Sequence, residues 1–205
     1  MLFASVALGW SIIPALFVGV LLFMGYGLVR RCSLRAMASR AAGSVRSAGT
    51  VVVAKLLDLE VPPEEMIVML QKEVALRLAA DAGDEEYGAL SVRARTVYDE
   101  EILRMVPPQL FHPKPEVDSC VLRMRKRTDL PPMEFRTKLS QVARLAFSQR
   151  RKKMIKQLAS VFGRGHVEAA YREIGLPEDI RAERVTVEQF QKLTHFFQTV
   201  NSSEE

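Results

Sequence analysis

The chain has 205 residues, of which 48% are hydrophobic and 26% are charged, an ordinary globular composition. Its formal net charge of +5 permits a polyanionic partner but does not require one. Two cysteines without CxxC spacing argue against a disulfide framework, and three histidines without metal-ligand spacing predict no metal site. Unpaired cysteines also favour a reducing compartment, so the predicted location is cytoplasmic.

The amino-terminal part has a composition of its own. Residues 2–29 contain no charged residue, and the first acid of the chain is Asp58. The apolar run is long enough for a membrane-spanning helix, which takes about 20 residues. Arginines that follow it would keep the rest of the chain cytoplasmic. Alternatively, residues 1–29 are a foreign or misread segment, since the basic linker at 30–49 is rich in Arg, Ala, Ser and Gly and shows no structural period.

The middle of the chain predicts an α/β unit. Residues 50–59 fit a helix or a strand equally well, whereas EMIVMLQ at 65–71 predicts a strand buried on both faces. A short helix is expected at 72–80. Alternating residues at 89–98 and 118–127 predict two more strands. Strands interleaved with short helices indicate a sheet whose later strands run antiparallel.

A loop with four prolines, VPPQLFHPKPEVDSC at 106–120, precedes the last of these strands. Proline fixes φ and pushes the preceding residue towards extended geometry, so the loop is expected to be stiff. Phe111 lies in its middle. From the residues alone, Phe111 is either a hydrophobic plug on the sheet or a side chain presented to a ligand.

The last third of the chain predicts a small all-α domain, from residue 129 to 205. Apolar residues recur there at helical spacing in four segments. Gly163 and Gly165 are expected to break the chain after the second helix, and Gly175 to cap the third. The four helices are expected around 139–147, 154–162, 166–175 and 186–197, the last opened by a TVEQ capping box.

Positive charge is concentrated between Arg123 and Lys156, where twelve Lys or Arg face only Asp129 and Glu134. The densest part is QRRKK at 149–153. Four consecutive charges on a helix would cover about 300° of its circumference, so one solvated face cannot hold them all. Phosphate contact explains the run more simply. A solvated run with snorkelling side chains is the alternative.

Three segments in the same order, MLQKEVALRL, YGALSVRARTVYDEEILRMVPPQLFHPKPEVDSCVLRM and ARLAFSQRRKKMIKQL, closely resemble the small-subunit ribosomal RNA adenine dimethyltransferases. The resemblance runs from about Thr50 to Phe197, and the proline-rich loop also resembles that of the erythromycin-resistance methyltransferases. It implies methyl transfer from S-adenosylmethionine to N6 of ribosomal RNA adenines. The fold it implies is the later part of a Rossmann-like methyltransferase sheet at 50–128, followed by a helical domain that binds ribosomal RNA.

The resemblance also implies roles for particular residues. Phe111 would stack on the target base, which base-modifying enzymes take out of the stack. The charge run and the resemblance together predict RNA-binding residues between the first two helices of the last domain. These residues are Arg144, Gln149, Arg150, Arg151, Lys152, Lys153 and Lys156.

The part of such an enzyme that would hold the methyl donor is not recognisable. A sheet of this class binds its cofactor through a Gly-rich turn and a later carboxylate, but no acid precedes Asp58. The Asn-Leu-Pro-Tyr motif of the family would fall at residues 43–46, Gly-Ser-Val-Arg, which cannot perform its chemistry. We therefore expect a truncated or non-catalytic form that binds ribosomal RNA and does not bind S-adenosylmethionine. The alternative is a module that binds small-subunit ribosomal RNA without catalysis, either free or tethered to a membrane through residues 2–29.

Overall fold

The computed structural model describes residues 48–112, 114–149 and 151–201. Three predictions therefore fall on residues outside these ranges. They are the apolar amino-terminal helix, its membrane contact and the basic linker at 30–49 as far as residue 47. Within them, no helix combines the length and apolarity needed to cross a bilayer. The helices and strands are α1 (Ala48–Leu57), β1 (Glu65–Gln71), α2 (Lys72–Ala79), α3 (Ala89–Val97), β2 (Tyr98–Val106), β3 (Ser119–Lys126), α4 (Met133–Ala146), α5 (Met154–Phe162), α6 (Arg164–Ile174) and α7 (Val187–Asn201).

The three strands form one sheet in the order β1-β3-β2, with both pairs antiparallel. Since β3 lies between the other two, β1 and β2 run in the same direction. Both end beside the first residue of β3, where Gln71 and Val106 pair with Ser119. A β-bulge interrupts the register of β2 between Ile102 and Arg104. Such bulges re-aim side chains and blunt an edge strand.

The segment 89–98 is a helix, not the predicted strand. Six of the nine residues of α3 are buried, so the helix has no broad polar face to reveal its period. Its apparent alternation arises from polar residues that are satisfied inside the protein. Arg93 donates to Asp58 Oδ1 at 2.6 Å, and Thr96 Oγ1 donates to the Val92 carbonyl at 2.8 Å.

The missing strand is β2, which begins where the predicted one was to end. Most of its residues are exposed, and it lacks the alternation of buried and exposed residues that marks β1. The strand at 65–71 and the helix after it are confirmed, and the ambiguous segment at 50–59 is helical. The prediction of two buried faces for β1 is wrong. Met66, Val68 and Leu70 are buried, while Ile67 and Met69 on the opposite face remain partly exposed to solvent.

Two apolar cores stabilise the fold. The first lies between the inner face of the sheet and helices α1 to α3. The second lies among α4 to α7 and includes Tyr87 and Val92 from around the start of α3, which join it to the sheet unit. The Tyr87 hydroxyl donates to the Val185 carbonyl at 2.9 Å, so this junction is also hydrogen-bonded.

The signals predicted for the helix ends are confirmed except at Gly165, although the first helix of the helical unit begins earlier than expected, at Met133. Gly175 caps α6 in the left-handed conformation, at φ 78° and ψ 33°. Thr186 and Gln189 form the capping box, with backbone-to-side-chain distances of 2.9 and 3.3 Å. Gly163 separates α5 from α6 at φ 79°, a conformation that favours glycine. Gly165, however, lies in the first turn of α6 and breaks nothing.

Candidate nucleic-acid interface

The proline loop, residues 107–118, lies at the edge of the sheet where β1 and β2 both end. In open α/β sheets, ligands bind beyond the carboxyl ends of the strands. The loop is fastened to this edge at its far end. The Lys72 backbone N–H donates to the Asp118 carbonyl at 2.9 Å, and the Lys72 ammonium lies 3.8 Å from the Asp118 carboxylate.

The near end of the proline loop is a single 3₁₀ turn, Pro108–Leu110. The Leu110 N–H donates to the Pro107 carbonyl and the Phe111 N–H to the Pro108 carbonyl, both at 3.2 Å. Two prolines with fixed φ and two backbone hydrogen bonds make this turn stiff.

The loop presents two adjacent apolar residues to different degrees. Leu110 keeps 68% of its surface exposed, whereas Phe111 is partly buried. The side chain that the stiff turn projects furthest is therefore Leu110, which sequence reasoning passed over in favour of Phe111. Its only signal in the sequence is its position beside Phe111.

The basic turn, residues 149–156, connects α4 to α5. It is not a helix at its centre, since residues 151 and 152 form a turn and α5 begins only at Met154. The charges of residues 151–153 therefore do not encircle a helix, and that prediction is wrong. Lys153 instead occupies the N-cap position of α5 and makes no side-chain capping bond. The basic residues precede a helix amino terminus, whose partial positive charge adds to theirs.

Buried residues hold the basic turn on both sides. Phe147 packs between Tyr87 and Phe190, with ring centroids 5.7 and 5.8 Å apart. Within the basic turn, at the start of α5, Met154 is fully buried and its N–H donates to the Ile180 carbonyl at 3.1 Å. The turn thus projects from two anchors in the helical core, which restrict where its charged side chains can reach.

The predicted RNA-binding residues that the structure describes come together on this surface. All are exposed, and within the described ranges no carboxylate pairs with the basic ones. Arg150 lies outside the described residues. Phe111 belongs to a different part of the molecule, the sheet edge. The described members of the group are Arg144, Gln149, Arg151, Lys152, Lys153 and Lys156.

The basic residues on β3 and directly after it have carboxylate partners. Arg123 contacts Glu101 at 2.9 Å and Glu65 at 3.3 Å across the open face of the sheet. Arg125 pairs with a carboxylate of β1, and Lys126 pairs with the carboxylate of the residue before β1. Arg127 pairs with carboxylates of β2 and of the turn after β3. Hydrogen bonding to Arg127 lowers the pKa of the Asp129 carboxyl. These charges are therefore neutralised within the fold.

Arg136 serves the interior. It is 7% exposed and donates to four carbonyl oxygens at 3.0–3.2 Å, those of Leu57, Leu59, Glu60 and Pro131. Burial lowers the pKa of its guanidinium. The side chain fastens α4 to the carboxyl end of α1 and to the strand connection after it, so it ties the helical unit to the sheet unit.

The described residues do not fit a nucleoside cofactor by themselves. After β1, α2 begins at once at Lys72, and no glycine-rich turn separates the two. The three glycines with positive φ are Gly83, Gly163 and Gly175, all outside the strand ends. A shallow depression between α1, α3 and α4 has a cavity volume of only about 10 Å³, far below the roughly 300–1,000 Å³ of ordinary ligand sites. It is lined by Arg93 and Arg136, which already bind backbone carbonyls.

The described ranges also contain no group of three or more His, Cys, Asp or Glu side chains placed to hold a metal ion.

A family model described as ribosomal RNA adenine dimethylase matches residues 43–199. Among curated proteins, the ribosomal RNA small subunit methyltransferase A of Geobacillus sp. (strain WCH70) is 37% identical over 157 residues, which are 74% of this chain and 54% of the relative. The protein of the same name from Nostoc sp. (strain PCC 7120 / SAG 25.82 / UTEX 2576) is 35% identical over 134 residues, 65% of this chain and 49% of the relative. The chain thus spans about half the length of the curated relatives it matches.

Solved structures share the fold. A dimethyladenosine transferase from Plasmodium falciparum superposes with a TM-score of 0.60 at 19% identity, over 74% of this chain and 63% of that one. The 23S rRNA methyltransferase ErmE superposes with a TM-score of 0.53 at 24% identity, over 74% of this chain and 62% of that one. The α/β fold class is confirmed at this level, as that of methyltransferase structures with a small antiparallel sheet and several helices.

Proposed function

Because the chain belongs to the ribosomal RNA adenine dimethylase family, we propose that it binds small-subunit ribosomal RNA through the basic turn and its neighbour Arg144. It does so without carrying out methyl transfer on its own. The proline loop contributes Phe111, which stacks on a base taken out of the RNA stack. Related methyltransferases would use the same surfaces together with a site that binds the cofactor.

One observation carries this proposal: the exposed Arg and Lys of the basic turn have no carboxylate partner among the described residues, while those on β3 do. Neutralising a phosphate releases counterions, which favours binding by unpaired cations. The partial positive charge at the amino terminus of α5 adds to that of the same surface. A merely solubilising run would be expected to mix both signs of charge.

The test is the affinity of the full chain for a fluorescently labelled RNA hairpin that carries two adjacent adenines in its loop. Replacing the described cations of the basic turn, Arg151, Lys152, Lys153 and Lys156, together by Ala should weaken binding about 100-fold or more at 0.1 M salt. A matched variant removes four exposed charges elsewhere and should bind within about threefold of the wild type. Its substitutions are Lys55, Arg172, Arg184 and Lys192→Ala. Equal losses in both variants would mean that net charge, not this surface, binds the RNA.

The non-catalytic part of the proposal is supported by the residues at the strand ends. Methyl transfer in this family, as the resemblance implies, takes its methyl group from S-adenosylmethionine. No turn among the described residues suits that nucleoside, and residues 43–46, Gly-Ser-Val-Arg, lack the amide and aromatic groups expected beside the adenine. Calorimetric titration of the 205-residue chain with S-adenosylmethionine should give no heat of binding. Micromolar affinity, or methylated adenine in the hairpin, would overturn this part and leave the RNA-binding part standing.

A further inference from the structure

The proline loop has a feature that Phe111 does not explain. Leu110 is 68% exposed, more than Phe111 beside it, and the 3₁₀ turn holds it there. Single exposed apolar residues are common on proteins. This one differs because its support is stiff: Pro107 and Pro108 fix the backbone, and two hydrogen bonds close the turn. A flexible loop could lay a leucine back against the protein, whereas this turn keeps it in water.

The surroundings of Leu110 favour a nucleic-acid partner. Gln109 and His112 flank the apolar pair and are exposed, and Lys114 lies further along the same loop. Polar and basic residues around a small apolar tip suit a partner that offers both stacked rings and phosphates. The Lys72–Asp118 contacts fasten the other end of the loop to the sheet.

We propose that Leu110 is an unstacking wedge: it inserts between two neighbouring bases of the bound RNA, and Phe111 stacks on the base that it displaces. The inference rests on the RNA-binding function proposed above. Apolar side chains inserted between base steps unstack them at a cost of a few kcal/mol per step. A wedge held in place before binding loses little conformational entropy on insertion, which helps to offset that cost.

The two residues therefore have separate roles on one turn. Leu110, projecting and apolar, separates the bases. Phe111, partly buried and aromatic, retains the displaced base by stacking. Neither role requires the methyl donor, so both can be measured on this chain.

The experiment uses the full chain and the same adenine-containing hairpin, with 2-aminopurine in place of one of the two adjacent adenines. The fluorescence of 2-aminopurine rises when it loses stacking with its neighbour. At saturating protein, the wild type should raise it. Leu110→Ala should reduce that rise about fivefold or more, because no side chain then separates the two bases. Leu110→Met, which keeps the length and apolarity of the side chain, should retain most of it.

A control separates the wedge from apolar exposure in general. Val61, 78% exposed and outside the proline loop, is replaced by Ala and should leave the fluorescence rise unchanged. The fluorescence rises are compared at saturating protein, so that a change in the dissociation constant of Leu110→Ala does not by itself alter them.

Each outcome decides between the two proposals. Salt-dependent binding with an undiminished rise in Leu110→Ala would overturn the wedge and leave RNA binding intact. If the wild type bound the RNA without any rise in 2-aminopurine fluorescence, the wedge would also be overturned and RNA binding would remain intact. Absence of binding would overturn the proposed function and the wedge with it. A dissociation constant for Leu110→Ala weakened tenfold or more, with the rise retained at saturation, would make Leu110 an affinity contact rather than a wedge.

Discussion

Residues 123–127 and the basic turn carry similar densities of positive charge in different surroundings. On β3, Arg123 lies between Glu65 and Glu101, and the basic residues after it also have carboxylate partners. In the basic turn, the described cations point into solvent without such partners. A sequence run reports how much charge is present, but only the sheet register determines which part of it is available to an external anion.

The same distinction applies to individual side chains on one helix. Arg136 and Arg144 are both on α4, two turns apart, yet the first is buried against carbonyl oxygens and the second is exposed. Substituting cations of each class, those with partners inside the fold and those without, tests whether the two classes differ.

The largest effect is expected for Arg136→Ala. Its removal leaves the buried carbonyl of Leu57 and the partly buried carbonyls of Leu59 and Glu60 without their donor. We expect the free energy of unfolding to fall by about 3–5 kcal/mol, measured by urea denaturation. Arg144→Ala on the same helix is the control and should change it by less than about 0.5 kcal/mol. Similar losses for both variants would remove the distinction between structural and available cations.

A second effect concerns the neighbouring acids of β2. Glu101 pairs with Arg123 at 2.9 Å, whereas Glu100 Oε1 is inaccessible to water and has no hydrogen-bond partner among the described residues. Burial raises the pKa of Glu100 from 4.5 to about 8, against the opposing charge of Arg95 and with smaller contributions from Asp99 and Asp81. The folded chain therefore binds more protons than the unfolded chain between these two values.

It follows that the free energy of unfolding should fall as pH rises from about 4.5 to about 8, by an amount on the order of 3 kcal/mol from Glu100 alone. Glu100→Gln keeps the shape and removes the ionisation, so it should flatten that decline and stabilise the protein most at pH 8 and above. Urea denaturation at several pH values measures it. Parallel pH profiles for the wild type and Glu100→Gln would contradict the prediction.

The smallest effects separate the two basic regions one charge at a time. Lys152→Ala should weaken RNA binding about fivefold at 0.15 M salt, the value expected for one lost phosphate contact. Arg125→Ala removes a charge that already contacts Glu65 at 3.6 Å, and it should change the affinity by less than about twofold. Fluorescence anisotropy with the labelled hairpin measures both, and a reversed order would refute the assignment of roles.

Local patterns predicted those elements whose burial is one-sided or whose ends carry a chemical signature. The helix at 72–80 has an apolar face, Gly175 supplies a left-handed cap, and Thr186 with Gln189 supplies a capping box. These features depend on residues a few positions apart, so the sequence displays them.

The wrong predictions concern segments whose structure depends on residues that are distant in the sequence. Helix α3 was mistaken for a strand because Arg93 finds its partner, Asp58, 35 positions away and is buried like an apolar residue. Edge strand β2 has no apolar face and left no period to read. Leu110 passed unnoticed because a single leucine in a loop carries no pattern, and its exposure depends on the geometry of a 3₁₀ turn.

The central claim is that the basic turn binds RNA phosphates, and the most direct test is the dependence of RNA affinity on salt. The logarithm of the association constant is plotted against the logarithm of salt concentration for the wild type and for the variant with Ala at Arg151, Lys152, Lys153 and Lys156. The account predicts that the slope becomes shallower by about 3, since each phosphate contact to single-stranded RNA contributes about 0.7. Equal slopes for the two proteins would contradict it, because the cations of the turn would then release no counterions on binding.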